Sequence, residues 1–393
     1  MKNQYTISIL GTLPPIRGLS SYCFELSNAM AKKCSVEFIS FKKIYPSFLY
    51  PAGSPDDDHT FPPFSTSQVK VRRHLTWYNP LSWIMEGLTS RGHLLHAQWW
   101  SAPLFPIFFI VCLCFKLKNK PVILTVHNVL AHENSLLYTA ISGLLFKLGD
   151  HFIVHSAINK RQMTRNYAIP SEQISVVPHG SLDFHIHTGA NRKSLRKEMG
   201  LSPETKIILL FGAIRPYKGV STAIRAFADV VKKDPDAKLL IAGALWEDWK
   251  PHEELIKELG LEKFIILHLE YIPSEDVYKF FEVSDLCLFA YHHFSSQSGA
   301  GSVAVSFRKP MIVSKVGGLP DLVKNPRWVV PPENPSALAG AMIACLNNPN
   351  LLESMASDAE RIADQFSWSA IAERTDKIYK EALNKKFSPD FKG

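Results

Sequence analysis

The stretch LLFGAIRPYKG, residues 209–219, indicates the fold of the second half of this chain. The apolar run 207–211 ends at a glycine, and two cations, Arg215 and Lys218, follow at helical spacing. The amphipathic segment 220–231 begins immediately afterwards. This order of residue types predicts a buried strand, a tight cationic loop and a helix.

The cationic loop predicts an anion site. The N–H groups at a helix N-terminus lack intrahelical partners and already favour an anion. Arg215 and Lys218 would add two positive charges beside the turn at Gly212. Such a site suits a diphosphate, above all one that gains charge as it leaves a sugar. The stretch lacks the GK[ST] ending of a P-loop, which argues against a nucleoside triphosphatase.

The alternation of strands and helices along the chain predicts an α/β fold with parallel sheets. With 393 residues, 46% of them apolar, the chain is long enough for two domains. We expect two Rossmann-like domains facing each other across a cleft, over residues 1–185 and 186–369, with the polar stretch 180–191 connecting them. A final helix at about 370–385 is expected to pack back on the first domain. Six short strands are predicted in the second half, at 207–211, 238–242, 265–269, 286–290, 311–313 and 328–330.

The formal net charge of +8 has two interpretations. It fits a mildly basic soluble protein, and it fits attraction to an anionic membrane face or to phosphate-bearing substrates. No block of Lys and Arg is interleaved with aromatic residues, so we expect no nucleic-acid partner.

An apolar stretch at 102–115 is too short to span a bilayer. It is either a buried helix or a helix that rests in the membrane surface, with Lys116, Lys118 and Lys120 facing headgroups. The six cysteines form no CxxC pair and mostly lie in apolar runs, which indicates buried thiols in a reducing compartment. The N-terminus lacks the pattern of a signal peptide. We therefore expect a cytoplasmic location, with association at the inner face of the membrane left open.

Two candidate residues of the first half follow predicted strands. Gly18, in the loop PPIRG after the first strand, would let the backbone approach a phosphate or a sugar, although a glycine in such a turn is often only geometric. This loop does not match GxGxxG, which argues against a nicotinamide enzyme. His127, in TVHN, ends the strand 122–127 and would point toward the cleft, while a structural role stays open.

The loop YHHFSSQSGAG, residues 291–301, is the second candidate of the C-terminal half. It follows a strand and precedes a helical run. Its Ser296, Gln297 and Ser298 offer hydroxyl and amide groups, and the backbone near Gly299 offers N–H donors. Such a loop can hold the hydroxyls of a sugar or a ribose, although it could also be a plain polar loop.

Taken in order, these motifs resemble the retaining nucleotide-sugar glycosyltransferases of family 4, which have the two-domain GT-B architecture. The resemblance covers nearly the whole chain. It rests on PPIRG, TVHN, VPHG, FGAIRPYKG, the SQSG loop, KPMIVSKVGGLPDLV and the late FSW before the final helix.

The resemblance implies that the first domain binds the acceptor and the second binds the nucleotide sugar. Arg215 and Lys218 match the pair that neutralises the donor diphosphate, and His127 matches a histidine near the transferred sugar. Gly18 matches the glycine-rich loop over the phosphates. The family requires no metal and no cofactor, because the cations take that role.

One departure from the family pattern concerns two glutamates, separated by seven residues, that usually contact the sugar and the ribose. The aligned positions here hold Ser296 and Ala304, so the SQSG form is interpreted as a variant subgroup. The resemblance then implies a hexosyltransferase that moves a hexose onto a sugar or lipid-linked sugar, in surface polysaccharide or glycolipid synthesis. Two alternatives are a catalytically silent nucleotide-sugar-binding partner of another transferase and a soluble enzyme that makes a small glycoside.

Overall fold

The computed structural model describes residues 5–16, 19–46, 64, 66–130, 136–180, 191–294 and 297–387. The chain forms two compact units, one of residues 1–180 with 366–393 and the other of residues 181–365. Each unit contains one sheet whose strands are all parallel, with helices packed on it. The predicted α/β class with parallel sheets is confirmed. The predicted connecting stretch, apart from its two end residues, and the candidates Gly18 and Ser296 lie outside the described residues.

The first unit contains a seven-stranded sheet in the order β3-β2-β1-β4-β5-β6-β7. Its strands are β1 (Thr6–Leu10), β2 (Ser35–Lys43), β3 (Val69–Thr76), β4 (Leu94–Trp99), β5 (Val122–Val126), β6 (His151–Val154) and β7 (Ile174–Val176). Its helices are α1 (Ser20–Ala31), α2 (Pro80–Thr89), α3 (Phe105–Leu117), α4 (Leu136–Phe146), α5 (Ala157–Tyr167) and, from the end of the chain, α13 (Trp368–Phe387).

Helices cover both faces of this sheet, so its central strands are apolar on both sides. All five residues of β5, VILTV, are buried. One face packs against α1 and α13, where Ile371 and Tyr379 are buried among residues of α1 and β1. The other face packs against α2, α3, α4 and α5.

The second unit contains a six-stranded sheet in the order β10-β9-β8-β11-β12-β13. Its strands are β8 (Ile207–Phe211), β9 (Lys238–Ala242), β10 (Ile265–His268), β11 (Leu286–Phe289), β12 (Met311–Ser314) and β13 (Val329–Val330). Its helices are α6 (Arg192–Glu198), α7 (Val220–Lys233), α8 (Lys250–Glu258), α9 (Val277–Val283), α10 (Gly299–Ser306), α11 (Pro335–Leu346) and α12 (Pro349–Gln365).

The apolar stretch at 102–115 contributes most of helix α3, which packs in the core of the first unit. This confirms the interpretation of the stretch as a buried helix. Phe108 and Phe115 are fully buried in the core of the first unit. Lys118 and Lys120 do not extend from the helix as expected for headgroup contacts, because Lys118 donates to backbone carbonyls at the end of α2 and Lys120 donates to Gly92 O. In the part of the chain that the structure describes, no helix has the length and hydropathy needed to cross a membrane. All six cysteines are buried and free, as predicted.

Candidate active site

Two strand ends of the second unit approach each other closely at glycines. The Gly212 N–H, after β8, donates to Ala242 O at the end of β9 over 2.9 Å. Gly243 has a φ of +149°, and a β-carbon there would lie 2.4 Å from Gly212 O. Gly212 itself has a φ of +101°. Only glycine fits such a conformation without strain, so the backbone turns sharply at the sheet edge.

The loop after Gly212 forms a single turn that ends at another glycine. The Lys218 N–H donates to Arg215 O over 2.9 Å, and Gly219 follows with a φ of +70°. A β-carbon on Gly219 would lie 2.0 Å from Ala290 O, at the end of β11. The turn is therefore pressed against the neighbouring strand end, and this contact fixes where the Lys218 side chain leaves the backbone.

The Lys218 ammonium lies between the end of β8 and the start of α10. Only 6% of the residue is exposed. A β-carbon built on Gly212 would lie 2.9 Å from Lys218 Nζ and 3.3 Å from Ala300 Cβ. Nζ is 5.5 Å from the centroid of the Tyr291 ring. The structure thus brings together Gly212, Lys218 and the first turn of α10.

Burial makes the charge of Lys218 costly. Burial, together with the smaller effect of the nearby Arg215 charge, lowers the pKa of Lys218 to about 7. Among the described residues, no carboxylate forms an ion pair with this ammonium group. A buried cation in such surroundings is stabilised by an incoming anion, since the anion supplies the missing opposite charge.

Arg215 is held on an aromatic ring beside this site. Its guanidinium carbon lies 4.4 Å from the centroid of the Trp246 ring, a cation–π contact. The loops after β8 and β9 meet here, because the Trp246 N–H donates to Ile214 O over 2.9 Å. The sequence did not single out Trp246, although it follows a strand at the same sheet edge as Arg215.

The loop at 291–301 places the start of α10 next to Lys218. Ser298 caps the helix by accepting the Gly301 N–H over 3.1 Å, and its hydroxyl lies 3.1 Å from the Tyr291 hydroxyl. Gln297 and Ser298 are both buried. A β-carbon on Gly299 would meet nothing within 4 Å, so there is open space at the helix N-terminus. The first N–H groups of a helix have no intrahelical acceptor and attract an anion.

His127 belongs to the first unit, where it lies in a buried histidine cluster. This cluster consists of His96, His127, His155 and His179. Tyr22 packs edge-on against the His127 ring, with the ring centroids 4.8 Å apart. No His, Cys, Asp or Glu groups of three or more that could hold a metal ion occur within the described residues.

The hydrogen bonds of His127 fix its tautomer. His155 Nδ1 lies 2.9 Å from Val177 O and must donate to it, so His155 Nε2 accepts from His127 Nδ1 over 3.0 Å. His127 Nε2 lies 3.0 Å from Gln98 Oε1. A neutral ring requires the Gln98 amide to turn its NH2 group toward Nε2. Both ring nitrogens thus contact protein groups, and a role of His127 near a sugar stays a prediction.

The histidine cluster is electrically neutral near pH 7. Burial lowers the pKa of His96 and of His179 to about 3 and that of His155 to about 4. Burial, followed by the charge of His155, holds the pKa of His127 well below its usual value. Sequence inspection identified His127 but not the cluster, because its members come from different strands.

Two protein-family models match the chain, one over each unit. The model described as "Glycosyltransferase Family 4" matches residues 16–181. The model described as "Glycosyl transferases group 1" matches residues 191–362. Together they cover most of the chain.

A curated relative with sequence similarity is the D-inositol 3-phosphate glycosyltransferase of Corynebacterium aurimucosum. It is 27% identical over 248 residues, which cover 60% of this chain and 58% of the relative. The match therefore spans less than two thirds of the relative's length.

Two solved structures resemble the chain along nearly all of its length. One is Anabaena HepE in complex with UDP and glucose, with a TM-score of 0.74 and 16% identity, covering 96% of this chain and 100% of that one. The other is sucrose-phosphate synthase from Thermosynechococcus elongatus, with a TM-score of 0.73 and 18% identity, covering 97% and 100%. At these identities the likeness shows the fold alone, which is GT-B.

Proposed function

Because this chain belongs to the family 4 glycosyltransferases and has the GT-B fold, we propose that it transfers a hexose from a nucleoside-diphosphate sugar, with retention of configuration. The acceptor in this proposal is a sugar or a lipid-linked sugar. The observation that carries the proposal is the buried Lys218 ammonium, which lies against Gly212 beside the open N-terminus of α10.

In the proposed complex, the donor diphosphate occupies the space between Lys218 and the first turn of α10. Lys218 and Arg215 neutralise the charge that grows on the diphosphate as the sugar leaves. The N–H groups at the start of α10 add donors that need no reorganisation during the reaction. Losing one such donor costs about 3–4 kcal/mol of barrier, which corresponds to about a hundredfold to a thousandfold in rate.

Retention is proposed to follow a front-face path. The loop at 291–301 carries no Asp or Glu that could act as a covalent nucleophile. The acceptor hydroxyl would attack from the side on which the diphosphate departs, and the leaving phosphate oxygen would take the proton of the acceptor. The protein then contributes positioning and charge stabilisation. We propose that the two cations do this without a metal ion.

The same lack of carboxylates favours a second candidate, a silent protein that binds a nucleotide sugar for another transferase. A third candidate is a soluble enzyme that makes a small glycoside. The names of the relatives motivate it, since one is an inositol-phosphate glycosyltransferase and another a sucrose-phosphate synthase. The third candidate predicts full activity without lipid.

The deciding experiment is an assay of nucleoside diphosphate release across a panel of nucleotide sugars, each with and without sugar and lipid-linked acceptors. UDP-glucose heads the panel because a fold neighbour has been solved with it. NMR of the product reports the anomeric configuration. Release and transfer with any donor support an enzyme, whereas binding without turnover supports the silent partner.

A matched pair of variants tests the role of Lys218. Lys218→Ala should lower kcat by about a hundredfold or more, because the variant lacks the positive charge that neutralises the departing diphosphate. Lys233→Ala is the control, because Lys233 is an exposed lysine at the far end of α7, the helix that begins just after Lys218. Normal turnover by a folded Lys218→Ala protein would overturn the proposed role.

A further inference from the structure

The turn that carries Lys218 is held by the loop that follows β11. The backbone N–H of His292 donates to Tyr217 O, inside the turn, over 2.7 Å. The His292 ring lies against the end of the turn, since a β-carbon built on Gly219 would come within 2.9 Å of the Nε2 atom of that ring. His292 therefore contacts the turn through both its backbone and its side chain.

The same ring also holds the first turn of α7. His292 Nε2 lies 2.8 Å from Thr222 Oγ1, and Thr222 is buried. The N-cap of α7 is Gly219, which has no side chain with which to cap the helix. The hydrogen bond between His292 and Thr222 thus joins the loop after β11 to the start of α7, just beyond the turn that carries Lys218.

A carboxylate faces the other nitrogen of the His292 ring. Glu333 Oε1 lies 3.8 Å from His292 Nδ1, and Glu333 has a φ of +54°, which is uncommon for a residue other than glycine. A nearby carboxylate favours the tautomer that carries the proton on Nδ1. Nε2 then accepts the hydrogen bond, and the Thr222 hydroxyl donates it.

Aromatic rings of the same loop pack on the turn as well. The Tyr217 ring stacks on that of Phe294, with the centroids 5.7 Å apart and an angle of 13° between the planes. It also meets the Tyr291 ring edge-on, with the centroids 5.6 Å apart. The Tyr291 hydroxyl lies 3.1 Å from that of Ser298, the cap of α10. One loop therefore connects the turn to the start of α10.

Lys218 depends on this support because its own side chain is flexible. Its ammonium group is a point charge at the end of a four-carbon chain with free rotation about each bond. Charge stabilisation requires the cation to lie where negative charge develops, and a displacement of about 1 Å can cost about a hundredfold in rate. The turn must therefore hold the backbone of Lys218 in place if the ammonium group is to meet a diphosphate.

We infer that His292 is a positioning residue of the donor site. Its hydrogen bond to Thr222 and its contact with Gly219 hold the turn of residues 215–219 so that the Lys218 ammonium group lies at the start of α10. His292 acts through Lys218 and does not touch the donor. The inference rests on the proposed function, since it concerns the cation that neutralises the departing diphosphate.

Two substitutions of His292 form a matched pair. His292→Phe keeps a planar ring but has no nitrogen, whereas His292→Gln keeps a polar atom at about the reach of Nε2. The phenylalanine variant should lower kcat at least about tenfold and change KM less, because the charge on the diphosphate is greatest in the transition state. The glutamine variant should stay within about threefold of the unchanged chain. Full kcat in a folded His292→Phe protein would overturn the inference.

Thr222→Val removes the same hydrogen bond from the other partner, and it carries the test if His292→Phe fails to fold. It should lower kcat by a similar factor. Combined with His292→Phe it should cause no larger loss than either change alone, because both remove one hydrogen bond. Thermal unfolding verifies that each variant is folded. Losses that multiply in the double variant would show independent roles and would contradict the inference.

A second cycle shows whether the effect passes through Lys218. In a Lys218→Ala background, His292→Phe should lower kcat by less than about twofold. A further tenfold loss there would mean that His292 acts independently of Lys218, and it would overturn the inference. Normal turnover by folded Lys218→Ala would overturn the proposed function itself. Low turnover by Lys218→Ala with full activity in both His292→Phe and Thr222→Val would overturn the inference alone.

Binding of the product diphosphate gives the same comparison without turnover. UDP is the first probe, because a fold neighbour has been solved with it. A nucleoside diphosphate already carries the charge that the donor gains as the sugar leaves, so its affinity should fall in His292→Phe and recover in His292→Gln. Calorimetry measures both. Unchanged affinity in a folded His292→Phe protein, with weakened affinity in Lys218→Ala, would contradict the positioning role.

Discussion

Donor binding should draw a proton into the site at alkaline pH. In the empty protein the pKa of Lys218 lies at about 7, so at pH 8 only about one tenth of the molecules carry the charge. A diphosphate beside the ammonium group raises that pKa, because the charged form gains an opposite charge. Binding should therefore take up about 0.9 proton per donor at pH 8 and about 0.1 at pH 6.

The sign of the pH dependence follows from the same shift. The pKa is higher in the complex, so affinity is greatest below about pH 7 and falls by up to about tenfold per pH unit above it. Calorimetry of a nucleoside-diphosphate sugar in buffers with different ionisation enthalpies measures the uptake directly. A nucleotide sugar suits this test better than a free diphosphate, whose own terminal phosphate titrates near pH 6.

Lys218→Arg is the control for this linkage, because an arginine keeps its charge over the whole range. In that variant the proton uptake at pH 8 should vanish even if binding is weaker. The reasoning would be refuted by zero uptake in the unchanged chain at pH 8, or by equal uptake in the arginine variant.

Three further predictions concern the stability of the fold. The four buried histidines have lowered pKa values, so the unfolded chain binds more protons than the folded one at acidic pH. The free energy of unfolding, measured by denaturant titration, should therefore fall below about pH 6.5, by up to about 1.4 kcal/mol per pH unit for each ring. An unfolding free energy that stays constant down to pH 5 would contradict this. Gly219→Ala should lower the free energy of unfolding by more than about 2 kcal/mol, because a β-carbon there meets Ala290 O. Gly260→Ala, also at positive φ but in open space, should lower it by only about 1 kcal/mol, and equal losses in the two variants would refute the steric argument. Tyr379→Phe removes the hydroxyl bonded to His96 Nδ1 and should cost about 1–3 kcal/mol in thermal unfolding, so an unchanged midpoint would speak against that bond.

The sequence was sufficient to predict the second unit because its strands are buried on both sides. All six strands of its sheet lie within a residue of the predicted ranges, since each is a short apolar run bounded by turn residues. Ligand-binding groups follow the carboxyl ends of parallel strands, and this rule led from the sequence to Gly212, Arg215 and Lys218. The contact between Lys218 and Gly212 agrees with that reasoning.

The first unit was harder to predict where pattern and burial disagree. Strand β3, VKVRRHLT, lies at the sheet edge and carries charges on both faces, so it gives no apolar run. Helix α2 has the correct spacing, but its apolar stripe faces solvent. The partners of His127 come from two other strands, β4 and the end of β6. Their proximity depends on the order of strands in the sheet, which no local pattern contains.

The most direct test of the central claim compares the binding of a nucleoside diphosphate and the corresponding monophosphate to the unchanged chain and to Lys218→Gln. If Lys218 binds the diphosphate, the unchanged chain should prefer the diphosphate by about tenfold or more, and the variant should lose most of this preference while its affinity for the monophosphate changes less. An equal preference for the diphosphate in a folded Lys218→Gln protein would contradict the account.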